Sequence, residues 1–219
     1  MSQLVLDTAG CDRATATTRS LLGYGVVAGP IYLTVSLIEA FTRDGFDITR
    51  DAWSVLANGP YGWIHVVNLI AAGVMTGAAA YGMRRALGPG WAPRLIAVYA
   101  ASLVGAGIFR ADPVDGFPAG AQAPATMSWH SAVHFGCGAV GFTCLAIGAF
   151  VLGRRFAREG RKRWAAYSVA TGVVFLAGFA GVATGGGSAA GTLGFGAAVV
   201  LVCSWVSAVS VRLYKTTAR

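Results

Sequence analysis

The chain has 219 residues, of which 55% are hydrophobic and only 12% charged, and its formal net charge is +8. The charges are bunched between apolar stretches of roughly 20 residues, the length a helix needs to cross a bilayer core. This pattern excludes a soluble globular domain, and it makes the positive charge an orienting signal that implies no nucleic-acid partner.

Taken in chain order, residues 1–21 read as a polar tail. They lack the charged start, short apolar core and small-residue cleavage site of a secretory signal, so the first span is expected to stay as an anchor. Six spans are predicted, over residues 22–41, 62–83, 91–109, 128–153, 163–184 and 190–214. The runs are long and continuously apolar, whereas barrel strands are short and alternate in polarity. The fold class is therefore all-α: a polytopic membrane protein with one six-helix bundle over residues 22–214 and a short second tail, 215–219.

Between the first two spans, DITRDAWSVLANGP carries Ile48, Ala52, Val55 and Leu56 at helical spacing, with Asp47 or Thr49 to cap the start and Asn58, Gly59 and Pro60 to end it. A short helix lying in the membrane interface is predicted there, with Trp53, Tyr61 and Trp63 at headgroup depth. The glycine pairs Gly73 with Gly77, Gly138 with Gly141, and Gly178 with Gly181 allow helices to approach closely. Between the last two spans, Gly185 to Gly187 reads as a tight turn. No pair of the four cysteines falls in an outward loop, so no structural disulfide is expected.

Sidedness follows from the basic residues. Of the 17 lysines and arginines, only Arg43, Arg50 and Arg110 lie on the outward connections, the first two in the first and Arg110 in the second; the rest lie on the termini and the alternate loops. The positive-inside bias then puts both termini in the cytoplasm of a cell-membrane protein. The dense run Arg154 to Arg163 adds a generic attraction to anionic lipids, so membrane lipids are expected partners.

With that orientation, all three histidines, His65, His130 and His134, fall at the outer ends of spans. Ionisable groups in a span are costly and usually face a cavity or a partner. His130 and His134 are four positions apart and share a helical face, continued by Cys137, Gly141 and Cys144, which is predicted to point into the bundle. Nearby acids are Asp112 and Asp115 in the second outward loop and Glu39 near the end of the first span. Asp112, ahead of Pro113, either caps its own turn or directs its carboxylate over the bundle. Three imidazoles with a carboxylate suit zinc, with His65, His130 and His134 as ligands and an open position for an activated water. Haem ranks below zinc, because His130 and His134 share a helix and cannot clasp one iron from opposite sides. A retinal Schiff base is excluded, since the only lysines, Lys162 and Lys215, lie in cytoplasmic segments.

The succession FDITRDAWSVLANGPYGWIHVVNLIAAG, GAGIFRADPVDGFP and WHSAVHFGCGAVGF resembles the six-helix membrane family named domain of unknown function 998, over residues 31–142. The resemblance marks Arg50, Ser54, Gly59, Asn68, Gly73, Asp112, Pro113 and His134 as site or framework positions, and brings no activity with it. His65 and His130 do not clearly belong to that pattern, which favours Asp112 with His134 as the minimal catalytic pair.

Three functions compete. The first is a metal-assisted hydrolase of a lipid-linked substrate, using the three histidines and Asp112, with Glu39, Arg50, Ser54, Asn68 and Asp115 around the pocket. The second is a non-enzymatic binding or transport protein holding a lipid or small ligand in the same pocket, which requires a lipid-sized cavity between the helices. The third is a membrane subunit whose outward loops contact a protein partner.

Overall fold

The computed structural model describes residues 2–184 and 188–217, with side chains from residue 13 onward. The turn expected over Gly185 to Gly187 lies outside the described residues. Six helices run through the chain: α1 (Ser2–Thr42), α2 (Gly62–Leu87), α3 (Trp91–Ile108), α4 (Trp129–Arg158), α5 (Lys162–Thr184) and α6 (Ala189–Thr216). Each is long and apolar enough to cross a membrane. The chain is thus a multi-pass, all-helical membrane protein. Residues ahead of the first predicted span continue α1, and Thr18 there is buried, its hydroxyl accepting from Arg85 Nε at 2.8 Å.

Consecutive helices pack side by side, and α6 returns to pack on α1, so the bundle closes into a ring. The short α2–α3 and α4–α5 connections share one end with the termini; the long connections after α1 and α3 share the other, here called the distal end. Valines and isoleucines such as Val27, Ile31, Val74, Val140, Val173 and Val200 point outward on every side, as a surface solvated by lipid requires. Polar side chains turn inward instead, among them Ser36, Glu39, His65, Asn68 and Ser168.

Close approach depends on one glycine of each predicted pair. A methyl group on Gly73 would meet the Ala100 carbonyl oxygen at 2.7 Å, one on Gly141 would overlap the Ser102 hydroxyl, and one on Gly178 would meet Ala198 at 2.9 Å. Gly77 and Gly138 have ordinary clearance, and Gly181 has open space. At Gly181 the close approach is taken up by Gly191 of α6, where a methyl group would meet the Gly181 carbonyl oxygen at 3.0 Å.

Two apolar clusters fill the ring. One, built on Leu22, Met83, Ile96, Leu145, Phe156 and Trp205, occupies the half near the termini. The other, Ala40, Val55, Leu56, Ala111 and Phe117, plugs the distal end. Where an interfacial helix is expected in the first long connection, the chain forms only a single 3₁₀ turn, Trp53–Ala57, with Val55, Leu56 and Ala57 buried. It belongs to the plug. Tyr61 and Trp63 are exposed as expected, while Trp53 turns inward against Tyr32, with ring centroids 6.4 Å apart.

Candidate functional site

Between the two clusters lies a cavity of about 570 Å³, within the roughly 300–1,000 Å³ usual for small-molecule sites. All six helices and the 3₁₀ turn contribute to it: Tyr32 from α1, Trp53 and Ser54 from the turn, Thr76 from α2, Tyr99 and Ser102 from α3, His134 from α4, Phe179 from α5 and Thr192 from α6. Its wall along α4, α5 and α6 is aromatic. Phe142, Phe175, Phe179 and Phe195 meet there with centroids 5.2 to 6.1 Å apart. Phe135, Ala139 and Ala183 line the cavity and are also exposed on the outside of the bundle, so it opens sideways between α4 and α5 toward the distal end. Nearer the termini the same two helices close up, with Gly172 against the Phe150 ring and Gly153 against Val169 and Ala165.

His134 stands at the mouth of this space. Its side chain is buried, and Nδ1 lies 2.9 Å from the Ala106 carbonyl oxygen and 2.8 Å from that of Phe109. Carbonyl oxygens only accept, so Nδ1 carries the proton and donates to both. In the tautomer this fixes, Nε2 is the ring's acceptor. The two carbonyls are orphans of the α3 C-terminus, which explains why α4 needs a long-reaching donor at this level.

His65 has different company. It is fully buried, with Nδ1 2.9 Å from Glu39 Oε2, and its ring does not line the cavity. Arg43, one helical turn beyond Glu39, lies 3.5 Å from the other carboxylate oxygen, an ion-pair distance without a hydrogen bond. The guanidinium instead donates to the Leu56 carbonyl at 2.7 Å and to that of Asn58, tying down the end of the 3₁₀ turn, and lies over the Phe117 ring. Gly59 sits at φ +77°, and a methyl group there would meet Arg43 Nη2 at 2.9 Å, so glycine is required by both backbone and space. His65 Nε2 is buried without a partner. Arg43 was counted in the sequence only as a loop charge; its i, i+4 relation to Glu39 was the available signal.

His130 is exposed and stacks on Trp129 at 3.7 Å. Asp112 is engaged locally: Oδ2 accepts from the Ser128 amide at 2.7 Å and Oδ1 from the Ser128 hydroxyl at 2.5 Å, while the Ser131 hydroxyl reaches the Asp112 amide at 3.2 Å. Those bonds from Ser128 hold the Asp112 carboxyl below its ordinary pKa, with His130 adding a smaller pull in the same direction. Since Ser128 caps α4, this carboxylate anchors the start of the helix that carries His134. Asp112 thus follows neither reading: its carboxylate does not cap its own turn, and it does not line the cavity.

The remaining expected positions scatter. Arg50 is half exposed and pairs with buried Asp51 at 2.9 Å, and its carbonyl accepts from Thr192 at 3.4 Å. Asp115 is exposed and accepts from the Ala123 amide at 2.8 Å. Asn68 donates to the Tyr32 carbonyl and to Ser36, both at 3.1 Å, joining α2 to α1. Ser54 and His134 alone share the cavity. The three imidazoles have three separate sets of partners, and among the described residues no three His, Cys, Asp or Glu side chains gather as a metal ion would require. The face shared by His130 and His134 diverges because α4 begins at Trp129, leaving His130 in its first turn outside the ring.

A ring of six helices, each long and apolar enough to cross a membrane, around a largely apolar cavity defines a polytopic, all-helical membrane protein. The chain belongs to the family described as protein of unknown function (DUF998), which matches residues 26–212. No curated protein and no solved structure matches it.

Proposed function

We propose that the protein is a non-enzymatic binding or transport protein that takes an apolar or amphiphilic small molecule from the bilayer into the inter-helical cavity. The observation that carries this reading is the side opening between α4 and α5, where residues of the cavity wall are also surface residues. A ligand can enter there without crossing water, and the aromatic wall supplies the contacts that bind hydrocarbon. Gly138 lines the cavity with only ordinary contact around it, so Gly138→Phe places a ring in the space without forcing backbones apart. Protein purified in mild detergent should retain a small hydrophobic molecule by native mass spectrometry, and Gly138→Phe should lose it at unchanged melting temperature. An empty wild-type cavity, together with no photolabelling of cavity peptides by a diazirine-bearing alkane, overturns the reading.

The same proposal places the termini in the cytoplasm and the distal end outside, on the support of the arginine and lysine distribution. Ala123 and Ala157 are exposed at opposite ends of the bundle. On intact cells, a membrane-impermeant maleimide should label Ala123→Cys above the native background and leave Ala157→Cys unlabelled. The reverse pattern inverts the assignment.

A further inference from the structure

We infer that the ligand of this cavity is an uncharged amphiphile whose polar end is a hydroxyl group, bound with its O–H donating to His134 Nε2. The inference rests on the cavity being a ligand site and adds the chemistry of what fills it.

Two observations select that chemistry. First, among the described residues that line the cavity there is no aspartate, glutamate, lysine or arginine. A phosphate, carboxylate or ammonium group drawn into it would meet no opposite charge, and an unpaired charge at membrane depth costs several kcal/mol. Of the charged side chains at this end, Arg43 is committed to Glu39 and to two carbonyls, Glu39 to His65 as well, Arg50 to Asp51 and Asp112 to Ser128. Phospholipid headgroups and fatty-acid anions are therefore disfavoured.

Second, the polar lining is asymmetric in its hydrogen-bonding needs. Tyr32, Ser54, Thr76, Tyr99 and Thr192 present hydroxyls that rotate to donate or accept. His134 does not adapt. Its Nδ1 proton is spent on two carbonyls from α3, so Nε2 offers a lone pair in a fixed direction on a side chain that is 94% buried. A ligand O–H entering the cavity would give that lone pair a donor, a bond that a methyl ether or an alkane cannot make.

Position agrees with this. His134 is five residues into α4, roughly 8 Å from its start at 1.5 Å per residue, whereas Val202, Cys203 and Val206 lie deeper along α6. An amphiphile entering between α4 and α5 would keep its hydroxyl near the membrane surface and extend its hydrocarbon between the phenylalanines. Isoprenoid alcohols and glycerides share the chemistry.

The test compares four diazirine-bearing C16 probes on the wild-type protein in nanodiscs: the alcohol, its methyl ether, the alkane and the carboxylate. Labelling is read by peptide mapping of α4 and α5, with unlabelled farnesol and monoacylglycerol as competitors to separate the two sources. The alcohol should label about tenfold better than the ether, the worth of one buried hydrogen bond, and the ether should match the alkane. His134→Phe should bring the alcohol down to the alkane, and His134→Gln, which retains an acceptor and a donor, should preserve part of the preference. The probe series needs no variant, so the inference stays falsifiable if His134→Phe fails to fold. Equal labelling of the cavity by alcohol, ether and alkane overturns the hydroxyl assignment and leaves the binding reading standing. Preference for the carboxylate overturns it in favour of an anionic ligand. Absence of all four probes from the cavity peptides overturns the binding reading itself.

Discussion

Replacing Arg43 by leucine should destabilise the protein by about 3–5 kcal/mol, the cost of removing one partner from a buried ion pair. Glu39 and Arg43 side chains are only 5% and 8% exposed, so the carboxylate has no water to turn to when the guanidinium is gone. His65 would be its sole remaining partner, and the carbonyls of Leu56 and Asn58 would lose their donor. Stability should fall, and so should the order of the 3₁₀ turn that roofs the cavity. Hydrogen exchange at the Val55 and Asn58 amides, bonded to the Ala52 and Val55 carbonyls, reads the second effect. Adding Glu39→Gln should recover part of the loss, because it removes the stranded charge; contacting residues typically couple by about 0.5–3 kcal/mol. A melting temperature for Arg43→Leu equal to that of wild type would show that the cluster does not hold the distal end together.

The second large effect is expected at Trp205, the largest fully buried side chain. It stands on α6 inside the cluster near the termini, and its Nε1–H donates to the Ser168 hydroxyl of α5 at 3.0 Å, which in turn donates to the Trp164 carbonyl at 2.8 Å. In a bilayer, burial away from water contributes little between helices, so shape-matched packing and such interhelical bonds hold the ring closed. Truncation to alanine should cost about 3–5 kcal/mol through the void it leaves. Trp205→Phe retains most of the volume and loses one hydrogen bond, a cost of about 0.5–1.5 kcal/mol. Reversible unfolding in micelles should rank wild type, Trp205→Phe and Trp205→Ala in that order and with that spacing. Two variants of equal stability would move the weight of α5–α6 association away from this residue.

The two regions divide the labour of the fold. Trp205 and its neighbours close the ring at one end; Arg43 fastens the plug at the other. The cavity persists between them because neither cluster reaches across it, and because the aromatic rings of α4, α5 and α6 pack on one another along its wall. His65 Nε2 remains an unpaired buried nitrogen beside Tyr32, whose ring is 6.2 Å away and lines the cavity. That arrangement costs stability without serving the ring closure.

Much of the architecture was readable in the amino-acid order. Each predicted span has its helix, and the ends agree within a few residues except where α1 extends back to Ser2 and α4 forward to Arg158. The stops at Gly88 and Glu159 and the caps at Ser128 and Ser188 are local features of chain chemistry. The site was readable only in part. His134 and Ser54 were named, but so were His65, His130, Asp112 and Asp115, which have partners of their own. The aromatic wall, with Phe142 at its centre, gave no signal, since phenylalanine in an apolar span reads the same whether it faces lipid, a neighbour or a cavity.

The amino-acid order alone determined how many helices are long and apolar enough to cross a bilayer, where each lies apart from the start of α1 and the end of α4, and how the basic residues divide between the two ends. Those properties follow from the cost of moving each residue into hydrocarbon, which is paid locally and adds along the chain. Tertiary structure alone decided which polar groups meet. Glu39 finds His65 across 26 positions and Asn58 finds the Ala111 carbonyl across 53, while His130 and His134, four apart, part company. The physical reason is helix placement: where a helix begins, and how it is turned against its neighbours at close contacts such as Gly73 and Gly141, sets a side chain inside the ring, beyond its end or toward lipid.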